Sequence, residues 1–155
     1  MAALFCQREA DKLPEHRPGI DHRIDLRELP DGSLPALPWG PLYGMSKEEL
    51  LVLRKTLDDL LQKGYIRASN SEAAAPVLFV RKPGGGLRFY YDYKAINAIS
   101  KQDRYPLPLI PETLRNLTGA RWLTKVDVVA AFNKIRIAAS YEGKTAFRTR
   151  FSSFE

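Results

Sequence analysis

Pro14, Pro18, Pro30, Pro35, Pro38 and Pro41 all fall within the first 41 residues and, with scattered glycines, exclude a helix or a long strand from that stretch. Any fold this chain adopts must therefore begin with an extended leader, here residues 1–44. Within it HRIDLREL alternates well enough for one short strand, and PALPWGPLYG reads as an extended strap laid on a domain surface.

Regular structure begins beyond the prolines. Ser46 followed by Glu49 makes a capping box, Met45 and Leu50 can form its hydrophobic staple, and Leu50, Leu53, Leu57, Leu60 and Leu61 recur at helical spacing up to Gly64. An amphipathic helix over about 46–63 follows, with its leucine stripe as core packing. Next come YIRAS, a polar break at Ser69, Asn70 and Ser71, and the pair PVLFVRK and LRFYYDY around Pro83-Gly84-Gly85-Gly86, the pattern of a β-hairpin with a basic tip. KAINAIS and LIPETLRNL are short helices, the second with Pro111 in its first turn, and DRYPLPL between them is extended. RWLTKVDV reads as a strand, VAAFNKI as a helical turn, and IRIA and KTAFRTRF as two further strands. The fold class is α+β. FSSFE follows a strand directly, with no cap or polar tail, so the chain is expected to stop inside a domain.

Lys plus Arg number 24 against 18 Asp plus Glu, giving +6 and suiting a polyanionic partner such as nucleic acid. Cys6 is the single cysteine, which rules out an internal disulfide framework. No run approaches the roughly 18 apolar residues of a membrane span, so a soluble chain without a membrane partner is expected.

The chemistry-bearing candidates each carry two readings. Asp127 closes the RWLTKVDV segment before small and apolar residues, either as a metal-holding carboxylate at a cleft or as a solvated strand-end aspartate. Two-metal phosphoryl transfer needs carboxylate oxygens around cations about 3.5–4 Å apart, and Asp127 supplies one carboxylate only. Arg81, Lys82 and Arg88 at the hairpin tip either grip phosphates, Arg as a bidentate fork and Lys as a point charge, or form a solvated face. Arg148 and Arg150 alternate with Phe147, Thr149 and Phe151, so one strand face either meets a nucleic-acid backbone or is simply exposed. Asp58 and Asp59 belong to the helix surface, and His16 and His22 have no partner at metal spacing.

From about Asp21 to the last residue the chain resembles a gypsy-type LTR retrotransposon reverse transcriptase. The ordered strings GYIRAS, APVLFVRKPGGGLR, DYKAIN, RYPLPLI, LTKVD with AF following, and KTAFRTR carry the resemblance. It implies a right-hand polymerase with fingers over 45–118 and the first part of the palm over 119–155. Asp127 then matches the first metal-binding catalytic aspartate, with Mg2+ as the cofactor. The backbone of Val128, Val129, Ala130 and Ala131 approaches the phosphates of the incoming nucleotide, and Phe132 matches the aromatic that excludes a ribose 2′-hydroxyl. Arg81, Lys82 and Arg88 match positions that close on the triphosphate. The partners implied are an RNA or DNA template-primer and dNTPs, and an intact element works in a cytoplasmic particle and delivers DNA to the nucleus.

The departures are specific. Phe89, Tyr90 and Tyr91 stand before Asp92 where the family has Leu-Cys-Val or Phe-Cys-Val, so two bulky aromatics are expected in place of smaller core residues, an overpacking of about 1–3 kcal/mol. Lys94 stands where Arg is usual, and Ser152 and Ser153 replace an aromatic-Gly pair. The family's hairpin with adjacent aspartates, its thumb, ribonuclease H and integrase have no counterpart in these 155 residues. The expectation is a reverse transcriptase segment inactive by itself, or else a remnant that at most binds nucleic acid.

Overall fold

The computed structural model describes residues 11–128 and 131–155. Helix α1, Lys47–Gln62, starts as its capping box dictates: the Glu49 N–H donates to the Ser46 hydroxyl at 3.2 Å, and the Ser46 N–H donates to the Glu49 carboxylate at 2.7 Å. Gly64 beyond its end has φ +69°, the left-handed conformation that closes a helix at little cost only for glycine. Leu53 and Leu57 are buried, and Leu50 and Met45 pack beside them. Leu61, expected in the same stripe, is 41% exposed.

Strands β1 (Val77–Arg81) and β2 (Leu87–Tyr91) form the expected antiparallel hairpin, in register from Val77 opposite Tyr91 to Arg81 opposite Leu87. Helices α2 (Lys94–Ile99) and α3 (Ile110–Leu117) follow, then 3-10 turns over Ala131–Lys134 and Ala139–Thr145. A short second hairpin closes the chain, β3 (Phe147–Arg148) against β4 (Ser153–Phe154). Helices and separate antiparallel hairpins make this an α+β fold, as the sequence indicates.

The core lies where α1 meets both hairpins. Leu53, Leu57, Val77, Phe147 and Phe154 form its buried centre, with Phe79, Phe89 and Tyr91 packed against it. Phe89 meets Phe79, Tyr91 and Phe147 edge-on at centroid distances of 5.7, 4.8 and 6.2 Å, a favourable arrangement for ring quadrupoles. The bulk feared as overpacking is therefore divided by strand parity: Phe89 and Tyr91 enter the aromatic cluster, and Tyr90 points the other way, 40% exposed. Burial pushes the Tyr91 phenol up to about 12.

Residues 38–40 run beside residue 74. The Gly40 N–H donates to the Ala74 carbonyl at 2.7 Å and the Ala74 N–H to the Pro38 carbonyl at 3.0 Å, while the next residue, Ala75, exchanges hydrogen bonds with the backbone of Ala146 and Arg148. Ala73 and Ala74 are almost fully buried, as backbones approaching this closely on both sides require small side chains.

Four strand expectations fail, one of them in part. HRIDLREL makes two isolated bridges, His22 with Ile137 of IRIA and Leu26 with Ser100, and neither segment forms a ladder. KTAFRTRF yields only Phe147–Arg148, because the chain turns back at Thr149, whose hydroxyl accepts from the Phe151 and Ser152 N–H groups. RWLTKVDV is not a strand, and Trp122, Leu123 and Val126 are 91%, 71% and 69% exposed. Alternation specifies which residues share a face, but a ladder also needs a neighbouring edge. Among the described residues no strand pairs with 121–128.

Candidate nucleic-acid and nucleotide interface

The first hairpin sorts its basic residues by parity. Positions 77, 79, 89 and 91 face the core, so Arg81 falls on the core-facing series and Arg88 on the outward one with Tyr90. Arg81 lies at the rim, where its positive charge helps hold Glu49 below the usual carboxylate range, behind the larger effect of the Ser46 backbone hydrogen bond. Lys82 opens the turn, donating its N–H to the Gly86 carbonyl at 3.0 Å and accepting from Gly85. Gly85 and Gly86 have φ +85° and +79°, so this turn needs glycine at both positions. Arg81, Lys82 and Arg88 are all exposed. Arg88 is not loose: its Nη1 donates to the Tyr90 hydroxyl at 3.2 Å.

Asp127 lies in the irregular segment 121–128, ahead of the 3-10 turn Ala131–Lys134. It is exposed, as are Val128, Ala131 and Phe132, the last to 92%. Val129 and Ala130 lie outside the described residues. Among the described residues no group of three or more His, Cys, Asp or Glu could hold a metal ion. No hydrogen bond or ion pair among them joins Asp127, Val128, Ala131 or Phe132 to the hairpin, and both segments are exposed.

Arg148 and Arg150 part company. Arg148 is half-buried, its Nη1 donating to the Gly40 carbonyl at 3.2 Å and its guanidinium lying 4.8 Å over the Trp39 ring, so it clasps the strap. Arg150 sits in the turn and is exposed. The single strand face expected to carry both does not form, since β3 ends at Arg148.

Sequence reasoning missed three contacts. The Arg88–Tyr90 bond was legible, because i and i+2 share a face in any strand. The Arg148–Trp39 clasp and the Glu155 cluster join residues far apart in the chain, and no local pattern announces them. In the cluster, Arg67 bridges Glu142 at 2.9 Å and Glu155 at 2.8 Å, and the Ser69 hydroxyl donates to Glu155 at 2.7 Å. The Ser69 hydrogen bond first, with Arg67 behind it, holds Glu155 below its ordinary value of 4.5. A depressed carboxylate contributes stability above its unfolded pKa, and that contribution is lost as pH falls through the folded value. We expect Tm to drop on acidification below about pH 4.5, and Glu155→Gln to reduce that drop while lowering Tm at neutral pH. Thermal melts of both proteins from pH 3 to 7 check this; parallel curves contradict it.

The family model "Reverse transcriptase (RNA-dependent DNA polymerase)" matches residues 80–154. The Tf2-3 and Tf2-4 transposon polyproteins of Schizosaccharomyces pombe are each 35% identical over 156 aligned positions, covering 98% of this chain and 11% of the polyprotein. The chain thus spans about a tenth of the length of the curated relatives it matches. Among solved structures, native prototype foamy virus protease-reverse transcriptase superposes with TM-score 0.67 at 22% identity, over 94% of this chain and 20% of that one. The foamy viral enzyme in complex with an RNA/DNA hybrid gives TM-score 0.64 at 20% identity, over 93% and 18%. At these identities the superpositions speak for the fold, which is that of the corresponding part of the viral enzyme. Residues 80–154 thus carry a reverse transcriptase family match, within a chain similar over nearly its whole length to part of the Tf2 retrotransposon polyproteins.

Proposed function

We propose that this chain serves as the fingers and opening palm of an RNA-directed DNA polymerase acting on an RNA or DNA template-primer and deoxynucleoside triphosphates. One observation carries the reading: the family match over 80–154 takes in every candidate residue from Arg81 to Arg150. In this reading residues 1–44 are leader and strap, 45–118 the fingers, and 119–155 the start of the palm. Arg88 and Lys82 at the exposed hairpin tip neutralise phosphates, with Arg81 at its rim. Phe132 sets its ring against the sugar, and the backbone at Val128 and Ala131 faces the phosphates of the incoming nucleotide. Arg150 tracks the nucleic-acid backbone. Arg148 acts there indirectly, by fixing the strap.

Reverse transcriptases as a family use divalent metals. Asp127 is a hard oxygen donor of the kind magnesium requires, but the described residues hold no three-ligand cluster, so they do not form that site unaided. Magnesium is proposed for the assembled polymerase, with Asp127 contributing one ligand. That shortfall favours a second reading, in which these residues bind nucleic acid without polymerising.

Primer extension on an RNA template separates the two. The chain alone should extend nothing with magnesium present. Robust extension that survives repurification and vanishes in Asp127→Ala would show that the chain assembles a complete site, against the incomplete donor set. Under both readings, binding to an RNA/DNA hybrid should weaken steeply with salt, as basic side chains displace counterions from phosphates. Affinity unchanged between low and moderate salt would remove the nucleic-acid role altogether.

A further inference from the structure

Tyr90 stands out on the first hairpin. Its neighbours Phe89 and Tyr91 turn inward to the aromatic cluster, whereas Tyr90 lies on the open face, 40% exposed, two residues from Arg88. Opposite them on β1 stand Leu78 and Val80, neither of which offers a polar group. The Arg88 Nη1 donates to the Tyr90 hydroxyl at 3.2 Å, and among the described residues no carboxylate forms an ion pair with Arg88. The bond occupies one of five guanidinium N–H groups and leaves the others available. An arginine on an open strand face otherwise samples many rotamers, all but a few of which are lost when it grips an anion. A tyrosine has only two side-chain torsions, so tying the guanidinium to its phenol is an inexpensive way of ordering it beforehand.

From this geometry we infer that Tyr90 is a positioning residue: its phenol oxygen holds the Arg88 guanidinium in place on the open hairpin face to receive a phosphate group. The inference rests on the reading of Arg88 as a phosphate-binding residue. It also gives a purpose to the tyrosine at position 90, the departure in this segment that core packing does not absorb.

The test is a double-mutant cycle on the whole chain, using inorganic tripolyphosphate as the probe and following binding through the Arg88 side-chain N–H resonance and by calorimetry. Tyr90→Phe keeps the ring and removes the acceptor, so its Tm should match wild type. Its affinity should fall roughly two- to tenfold, the span that one hydrogen bond's net worth converts to. In an Arg88→Ala background the same change should have no further effect, because Tyr90 acts only through Arg88. Wild-type affinity in Tyr90→Phe, or an equal loss in both backgrounds, overturns the inference while leaving Arg88's role intact. Wild-type affinity in Arg88→Ala overturns that role itself, and the inference with it.

Discussion

Phe147→Ala is expected to destabilise the protein by about 3–5 kcal/mol, the usual result of emptying an aromatic site that cannot collapse. Phe147 is 2% exposed and among the largest fully buried side chains in the described structure. It joins the two halves of the fold: its strand partner is Phe154, at 5.6 Å between ring centroids, and the rings of Tyr91 and Phe89 from the first hairpin lie 4.6 and 6.2 Å away. Leu53 and Leu57 of α1 belong to the same cluster, so the cavity would open between three elements at once. Domains have only about 5–15 kcal/mol in hand, so the variant should unfold at a much lower urea midpoint with little change in slope. Phe132→Ala is the matched control. That ring is 92% exposed, and its loss should move stability by less than about 0.5 kcal/mol. Equal effects from the two substitutions would mean that the aromatic cluster is not the core.

Gly40→Ala should detach the strap. A Cβ at Gly40 would lie 2.5 Å from both Cγ and Cδ of Pro76 and 3.1 Å from the Ala74 carbonyl oxygen. A proline ring cannot swing aside as a flexible side chain can, so the strap backbone must move. Movement there breaks the paired hydrogen bonds between residues 38–40 and Ala74 and withdraws the carbonyl that Arg148 clasps. The expected cost is about 1–3 kcal/mol from the overpacking, with each lost hydrogen bond adding roughly 0.5–1.5 kcal/mol. Hydrogen exchange would show the loss as faster exchange at residue 40 and Ala74, with Leu53 and Leu57 in α1 unchanged. At Gly44 a Cβ meets nothing within 4 Å, so Gly44→Ala should leave the pattern intact. Unaltered protection in Gly40→Ala would show that the strap is not held by this close approach.

These two positions also mark what a sequence can disclose. Helix α1 was legible but for Leu61 in its stripe, because its start and its stop are written within 19 residues from Ser46 to Gly64. The first hairpin was legible because its turn chemistry is local, and even the division of Phe89, Tyr90 and Tyr91 between two faces follows from parity. Gly40 gave no such signal, since its importance comes from Pro76, and the two meet only when the strap folds over residues 74–76. The RWLTKVDV segment shows the converse failure. Its alternation is real, but pairing depends on an edge elsewhere, and no strand among the described residues pairs with it. The candidate site divides the same way. Arg88, Asp127 and Phe132 are exposed, whereas Arg148 engages Trp39 and Gly40, a tertiary event that alternation could not disclose.

The most direct measurement is an NMR titration of the labelled chain with an RNA/DNA template-primer at low salt, mapping which residues respond. If the chain is the fingers and opening palm of a reverse transcriptase, shifts should gather on the hairpin from Lys82 to Tyr90 and on the segment carrying Asp127, Val128 and Phe132. Leu53, Leu57 and the rest of α1's core face should stay quiet. Shifts confined to α1 or the leader, or none at all, would contradict the assignment of the interface.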